Sequence, residues 1–205
     1  MPKRVDHEQR RRKVIDALLR ITARGGVGAA TFRDVAAEAG MSVSNVQYFF
    51  GTKDQLLLAA LRQLQADVWV PVRKKLSAEN EAPSPRVVVA TVLEALLPTA
   101  KKSRMAMLLF VALHSASLTD PSVTRPEALE VPRALIAFLA NEIRRGQGAA
   151  GADPALDPDK EAMNLVFIVT GAGQAILGHG LSVADGRRLI DYAIDRICPP
   201  GVRPT

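Results

Sequence analysis

Residues 31–53, TFRDVAAEAGMSVSNVQYFFGTK, decide the fold class, because every helix signal in them agrees. Thr31 stands where a helix N-cap is wanted, and Asp34, three residues on, completes a capping box. Gly40 breaks that helix after Ala39. Ser42 caps the next one, with Met41 and Val46 spaced as a hydrophobic staple. Gly51 ends it near Phe50, and Thr52 with Gln55 opens a further helix. Two short helices joined by a tight turn follow, with Val35, Ala36 and Ala39 inward from the first and Val46 and Phe50 inward from the second. Val43, Ser44, Asn45, Gln47, Tyr48 and Phe49 are left on the other sides.

A polar second helix with short side chains at its start is the form that enters a DNA groove in a helix-turn-helix. Gln47 carries a donor and an acceptor, so it can read adenine with two hydrogen bonds. Arg33 can reach a guanine edge or a phosphate. Tyr48 and Lys53 suit phosphates, which set position rather than sequence. The Ser42 cap and the unpaired N–H groups at that helix end add anion affinity.

The chain reads as helices on both sides of this pair. Before it, Val14, Ala17, Leu18 and Ile21 stripe a first helix from about His7 to Arg24, closed by Gly25 and Gly26. A basic stretch from Lys3 to Lys13 reads as an arm ahead of that helix, able to follow phosphates or a minor groove. After the pair, Leu57, Ala60, Leu61, Leu64 and Val68 stripe a fourth helix, with Pro71 a kink site. Asn80–Pro85 reads as a loop, followed by a fifth helix around Val89–Leu97 and a sixth around Met105–Ala116. Asp120-Pro121 looks like a further cap. Pro126 and Pro132 predict an irregular stretch before a seventh helix striped by Ile136, Leu139, Ala140 and Ile143. Gly146–Asp157, rich in Gly, Ala and Pro, predicts a mobile connection. Asp157-Pro158 opens an eighth helix to about Gly178, and Ser182 with Asp185 opens a ninth that Pro199 and Pro200 stop. No strand alternation and no internal repeat is visible.

Charge points to the same partner. Residues 1–53 carry ten Lys and Arg against five acids, whereas the rest carries 17 against 16, so the net charge of +6 belongs almost wholly to the segment with the helix pair. That is the footprint of a polyanion-binding face. A lone Cys198 allows no internal disulfide and fits a cytoplasmic protein. The N-terminus lacks a hydrophobic signal core. The longest stretch without an ionisable acid or base other than His, Ala162–Ala184, contains Asn164, Thr170, Gln174, His179 and several glycines, so it reads as a buried helix and turn rather than a membrane span.

Enzyme readings find little. Leu165–Gly173, LVFIVTGAG, looks like the strand and glycine turn of a dinucleotide-binding oxidoreductase, a remote NAD-dependent alternative. The fingerprint wants a glycine where Ile176 stands, and only 29 residues follow it. No nucleophile–base or paired-carboxylate arrangement stands out, and no cofactor is expected. His7, His114 and His179 have no metal spacing with Cys198, so no metal is expected.

The pattern T-x-R-D-V-A-x-E-A-G-M-S-x-S-N-V-Q-Y-F-F-x-T-K-D-Q-L resembles the signature of the tetracycline-repressor (TetR) family over about Val14–Leu61. The resemblance implies that Thr31, Arg33, Ser44, Asn45, Tyr48 and Lys53 contact backbone or nearby bases, and that Val43 and Gln47 face base edges. Ser42 belongs to this set as the cap. Phe49 does too, although it departs from the His or Tyr usual there.

It also implies a homodimer on a palindromic double-stranded operator, paired through the last two helices. Ile168, Gly171, Ala172, Ala175, Ile190, Ala193 and Ile197 are the candidate interface residues, with Gly173 among the small residues that permit close approach. A small molecule, unidentified, is implied inside the larger domain. Its candidate lining is Trp69, Met105, Leu109, Phe110, His114, Phe138 and Phe167.

The expectation is therefore an all-α protein of about nine helices. Residues 1–53 form a three-helix DNA-binding domain with a basic arm, and 54–205 form a ligand-binding and dimerisation domain. The function expected is that of a non-enzymatic transcriptional regulator, a repressor released by its ligand. A ligand-responsive activator and a nonspecific architectural DNA-binding protein are the alternatives.

Overall fold

A computed structural model describes residues 2–78, 82–119, 126–149 and 151–200, the side chains of 2–6, 119 and 126–131 excepted. Among these residues there are nine α-helices and no strand. They are α1 (Pro2–Gly25), α2 (Phe32–Ala39), α3 (Val43–Phe50), α4 (Lys53–Leu76), α5 (Pro85–Leu96), α6 (Lys101–Thr119), α7 (Pro126–Gly148), α8 (Pro158–Leu177) and α9 (Val183–Ile197). A single 3-10 turn, Val27–Ala29, links α1 to α2. The helices gather into two compact units, Met1–Ala66 with Leu108–Thr124, and Asp67–Met107 with Arg125–Thr205.

In the smaller unit the α1 stripe of Val14, Ala17, Leu18 and Ile21 is buried, as are Val35, Ala36 and Ala39 of α2 and Val46 and Phe50 of α3. Leu56, Leu57, Ala60, Leu61 and Leu64 of α4 complete the apolar set. In the larger unit Val88, Val89, Val92 and Leu93 of α5 pack with Leu139, Ala140 and Ile143 of α7. Leu165, Val169 and Ile176 of α8 and Ile190, Ile194 and Ile197 of α9 close the same core.

Three expectations need correction. The stretch from Lys3 to Lys13 is not an arm ahead of a helix but the first turns of α1, which starts at Pro2. Its Arg, Lys, Glu and Gln residues are good helix formers, and Pro suits a helix start. Pro126 and Pro132 do not make an irregular stretch, since α7 runs from one through the other. A proline at a helix start has no N–H to lose, and one within costs a single backbone bond that a long helix absorbs.

Gly146–Asp157 is not a loose connection. Gln147 donates to the carbonyls of Asp153 (2.8 Å) and Leu156 (2.9 Å), Asp153 N–H donates to Ile197 O (3.0 Å), and Ala152 is buried. Leu165–Gly173 lies in the middle of α8, as the buried-helix reading expected. Gly173 serves packing, because a Cβ there would lie 2.4 Å from Met107 Cε. The cap read at Asp120-Pro121 lies outside the described residues. No helix among the described residues is long and apolar enough to cross a membrane.

Candidate nucleic-acid interface

The interface is built on three caps. Thr31 Oγ1 accepts from Asp34 N–H (3.2 Å) while Thr31 N–H donates to Asp34 Oδ2 (3.3 Å), a complete capping box. The hydroxyl of Thr31 also donates to that carboxylate and, as the largest influence, holds Asp34 below its ordinary value of 3.8. Ser42 Oγ accepts from Asn45 N–H (3.2 Å) and starts α3. Thr52 and Gln55 exchange the same pair of bonds at the start of α4. Between α2 and α3 the chain turns at Gly40, whose φ of 62° is left-handed and suits a residue without a Cβ. Glu38 is gripped by Arg20 (2.6 Å) and Arg24 (2.6 Å), which ties α2 to α1 and lowers the Glu38 carboxyl below its ordinary 4.5.

A helix advances 100° per residue, so the burial of Val46 and Phe50 fixes which way every other α3 side chain faces. Ser44 and Tyr48 form the crest opposite the core, and Tyr48 is 79% exposed. Asn45 and Gln47 flank them, both exposed, and Val43 and Phe49 sit at the shoulders. Thr31 and Arg33 are exposed at the start of α2, Ser42 is exposed, and Lys53 is half-buried at the first position of α4. The residues expected to meet DNA thus share the outer side of one helix pair. Phe49, like Lys53, is less exposed than the others. It is half-buried, with its ring 4.7 Å edge-on from that of His7 and 5.7 Å from Tyr48.

His7 and Arg11 of α1 also meet the end of α3. Arg11 Nη1 donates to the carbonyl of Phe49 (2.7 Å), and its guanidinium lies 4.5 Å from the centre of the Phe50 ring. A signal for them exists, since His7 and Arg11 continue the stripe of Val14, Leu18 and Ile21 at helical spacing. Three basic residues counted in the positive field, Arg11, Arg20 and Arg24, are therefore engaged within the protein.

The residues expected to bind a ligand are divided between the two units. Trp69 and Phe138 meet edge to face at 6.1 Å in the larger unit, where Met105 is buried. Leu109 is buried in the smaller unit, where Phe110 stacks on His114 at 6.0 Å. Phe167 stands 64% exposed on α8. Of the residues expected at a subunit interface, Ala172, Ile190, Ala193 and Ile197 are buried in the larger unit's own core, Ile168 and Ala175 are half-buried, and Gly171 is exposed. The apolar side chains that α8 and α9 do leave exposed are Met163, Phe167, Leu189 and Tyr192.

Residues 14–60 match the family model of bacterial regulatory proteins, tetR family, and residues 85–199 match that of the BetI-type transcriptional repressor, C-terminal. The HTH-type transcriptional regulator PksA of Bacillus subtilis (strain 168) is 28% identical over 212 residues, covering 100% of this chain and 98% of that protein. The HTH-type transcriptional regulator BetI of Burkholderia mallei (strain NCTC 10229) is 29% identical over 204 residues, covering 98% and 100%. Among solved structures, a transcriptional regulator from Saccharomonospora viridis in complex with choline superposes with a TM-score of 0.77 at 25% identity, covering 93% of this chain and 98% of that one.

Proposed function

The chain belongs to the tetR family of bacterial regulatory proteins and is a DNA-binding transcriptional regulator, and from that premise we propose that it works as a homodimeric repressor released from its operator by a small organic cation. The observation that carries this reading is the crest of α3, where Ser44, Asn45, Gln47 and Tyr48 are exposed together on a helix anchored by buried Val46 and Phe50. Such a rod presents hydrogen-bonding groups to base edges and leaves Thr31, Arg33 and Lys53 beside the phosphates. Residues 1–53 read the DNA in this account, and 54–205 bind the ligand and pair the subunits. It acts by binding rather than catalysis, in the cytoplasm where the chromosome lies.

Pairing is supported by the outer faces of α8 and α9. Met163, Phe167 and Gly171 recur at intervals of four residues, and Leu189 and Tyr192 lie on the neighbouring helix. Gly171 has open space around it, so nothing within one chain requires its lack of a side chain. An exposed apolar patch on packed helices marks a surface for association, and a two-fold axis lets the same patch serve both copies. Two copies then present two α3 helices to a palindrome.

A cationic ligand is supported by the choline held by the Saccharomonospora viridis regulator and by the Trp69–Phe138 pair, whose aromatic faces suit a quaternary ammonium group. The test is to recover bound duplexes from a random pool and titrate choline into the complex. The proposal expects selected duplexes with two-fold symmetry, released as choline rises. Recovery of no consensus sequence refutes the repressor reading. A complex indifferent to choline, tetramethylammonium and ethidium refutes the cationic ligand.

A further inference from the structure

The recognition helix is short and must be held from outside. α3 has eight residues, and a helix of that length is not stable by itself. Ser42 and the turn from α2 fix its start. Its far end closes at Gly51, whose N–H reaches back to Gln47 O (2.7 Å) with a φ of 66°. The remaining carbonyls of a helix end want donors, and a positive charge there is favoured by the helix dipole.

α1 supplies both. The half-buried Arg11 donates to the Phe49 carbonyl at 2.7 Å, and its guanidinium lies 4.5 Å from the centre of the buried Phe50 ring. One turn earlier on the same face, the His7 ring meets Phe49 at 4.7 Å and an interplanar angle of 74°, and lies 6.5 Å from Tyr48. A carbonyl and two phenyl rings at the end of α3 are thus met by two residues of one helix, beside the exposed Tyr48.

We propose that His7 and Arg11 form a clamp that sets the position of the C-terminal half of α3, and with it Gln47 and Tyr48. Arg11 is then a positioning residue for base reading and not a phosphate contact, although it lies in the most basic run of the chain. This rests on the reading of α3 as the recognition helix. Arginine is suited to the task because its planar group can stack on a ring while its fixed N–H groups donate to a carbonyl, whereas an ammonium group offers only a compact charge without a stacking plane.

The full-length protein and its Arg11→Gln, Arg11→Lys and His7→Ala variants are titrated against two duplexes, one recovered by selection with the wild type and one scrambled at the same composition. Salt is varied from about 50 to about 200 mM. The clamp predicts that Arg11→Gln lowers the selected-to-scrambled affinity ratio roughly ten-fold or more, the value of a displaced base contact. It also predicts that affinity for the scrambled duplex and the salt slope stay at wild-type values. Arg11→Lys should recover part of the ratio, and His7→Ala should lose it in the same sense but by less.

A variant that weakens both duplexes equally, with a slope shallower by about one, makes Arg11 a phosphate contact and overturns the clamp. So does Arg11→Gln behaving as wild type. Where Arg11→Gln fails to fold, as judged by helical circular dichroism, His7→Ala decides, and an unchanged ratio overturns the clamp. A wild type without preference between the duplexes sinks the recognition-helix reading and the clamp with it. A wild-type preference untouched by either substitution sinks the clamp alone.

Discussion

Gln47 stands exposed on the flank of α3, one turn from Val43, with a carboxamide that can donate and accept together. Its neighbours Ser44 and Tyr48 occupy the crest, where a hydroxyl meets the sugar-phosphate backbone as readily as a base. Gln47 is therefore the residue on which discrimination should depend most. Gln47→Ala is expected to lose about 1–3 kcal/mol of preference at one base pair while binding nonspecific DNA as before. A binding array across all single-base variants of the selected site measures this, and an unchanged preference matrix would remove Gln47 from base reading. Phe49 shows how far residue chemistry alone can mislead. Its position on the helix marks it as a surface residue, yet it is half-buried because His7 reaches it from another helix, 42 positions earlier.

At the level of elements, caps made the helix pair legible. The boxes at Thr31–Asp34 and Thr52–Gln55, the cap at Ser42 and the break at Gly40 depend on neighbours three or four residues apart, so the sequence carries them whole. Ser42→Ala should cost about 1 kcal/mol of stability, read by urea denaturation. No change would mean that packing alone starts α3.

Contacts between distant segments were not legible in this way. Gly146–Asp157 has the composition of a loose linker, yet the Gln147 side chain and the Asp153–Ile197 bond fasten it to itself and to the end of α9. The basic run ahead of Val14 has the composition of an arm, and its helical form follows from propensity that charge counting ignored. The site was partly legible for the same reason. The outer face of α3 is local periodicity, whereas the grip of Arg11 on Phe49 spans 38 positions.

The same elements set an acid limit. In the folded state Asp34 is favoured as a carboxylate chiefly by the Thr31 hydroxyl, and Glu38 by Arg20 and Arg24. Depressed values mean that the folded state holds these protons less tightly than the unfolded chain. The stabilisation is complete above the ordinary values of 3.8 and 4.5 and fades as pH falls through the lowered ones. Both groups are exposed to solvent, so the effect is modest. The Glu38→Gln variant should melt below wild type at neutral pH and converge with it in acid, as pH falls below the ordinary 4.5 and on through the lowered value. A gap that persists in acid would show that Glu38 acts through packing and not through its charge.

At the scale of the whole molecule, the proposed function requires two copies. Phe167 and Tyr192 are 64% and 65% exposed on the outer faces of α8 and α9, and burying them against a second chain accounts for their exposure in the first. The double variant Phe167→Glu, Tyr192→Glu places like charges across a two-fold axis, and analytical ultracentrifugation should report a monomer. Operator affinity should fall with it, because one α3 spans a single half-site. A variant that remains dimeric would move the interface elsewhere. The small residues of α8 first read as contacts with a partner divide by side. Ala172 and Gly173 face the chain's own core, and Gly171 faces out.

The central claim is that the outer face of α3 reads bases rather than merely attracting phosphate. The most direct test is fluorescence anisotropy with the wild-type protein on the selected duplex and its scrambled counterpart, between about 50 and about 200 mM salt. The account predicts that the selected duplex binds at least about 10³-fold more tightly at each salt concentration, while both absolute affinities fall as salt rises. Equal affinities that decline together across the whole range would contradict it.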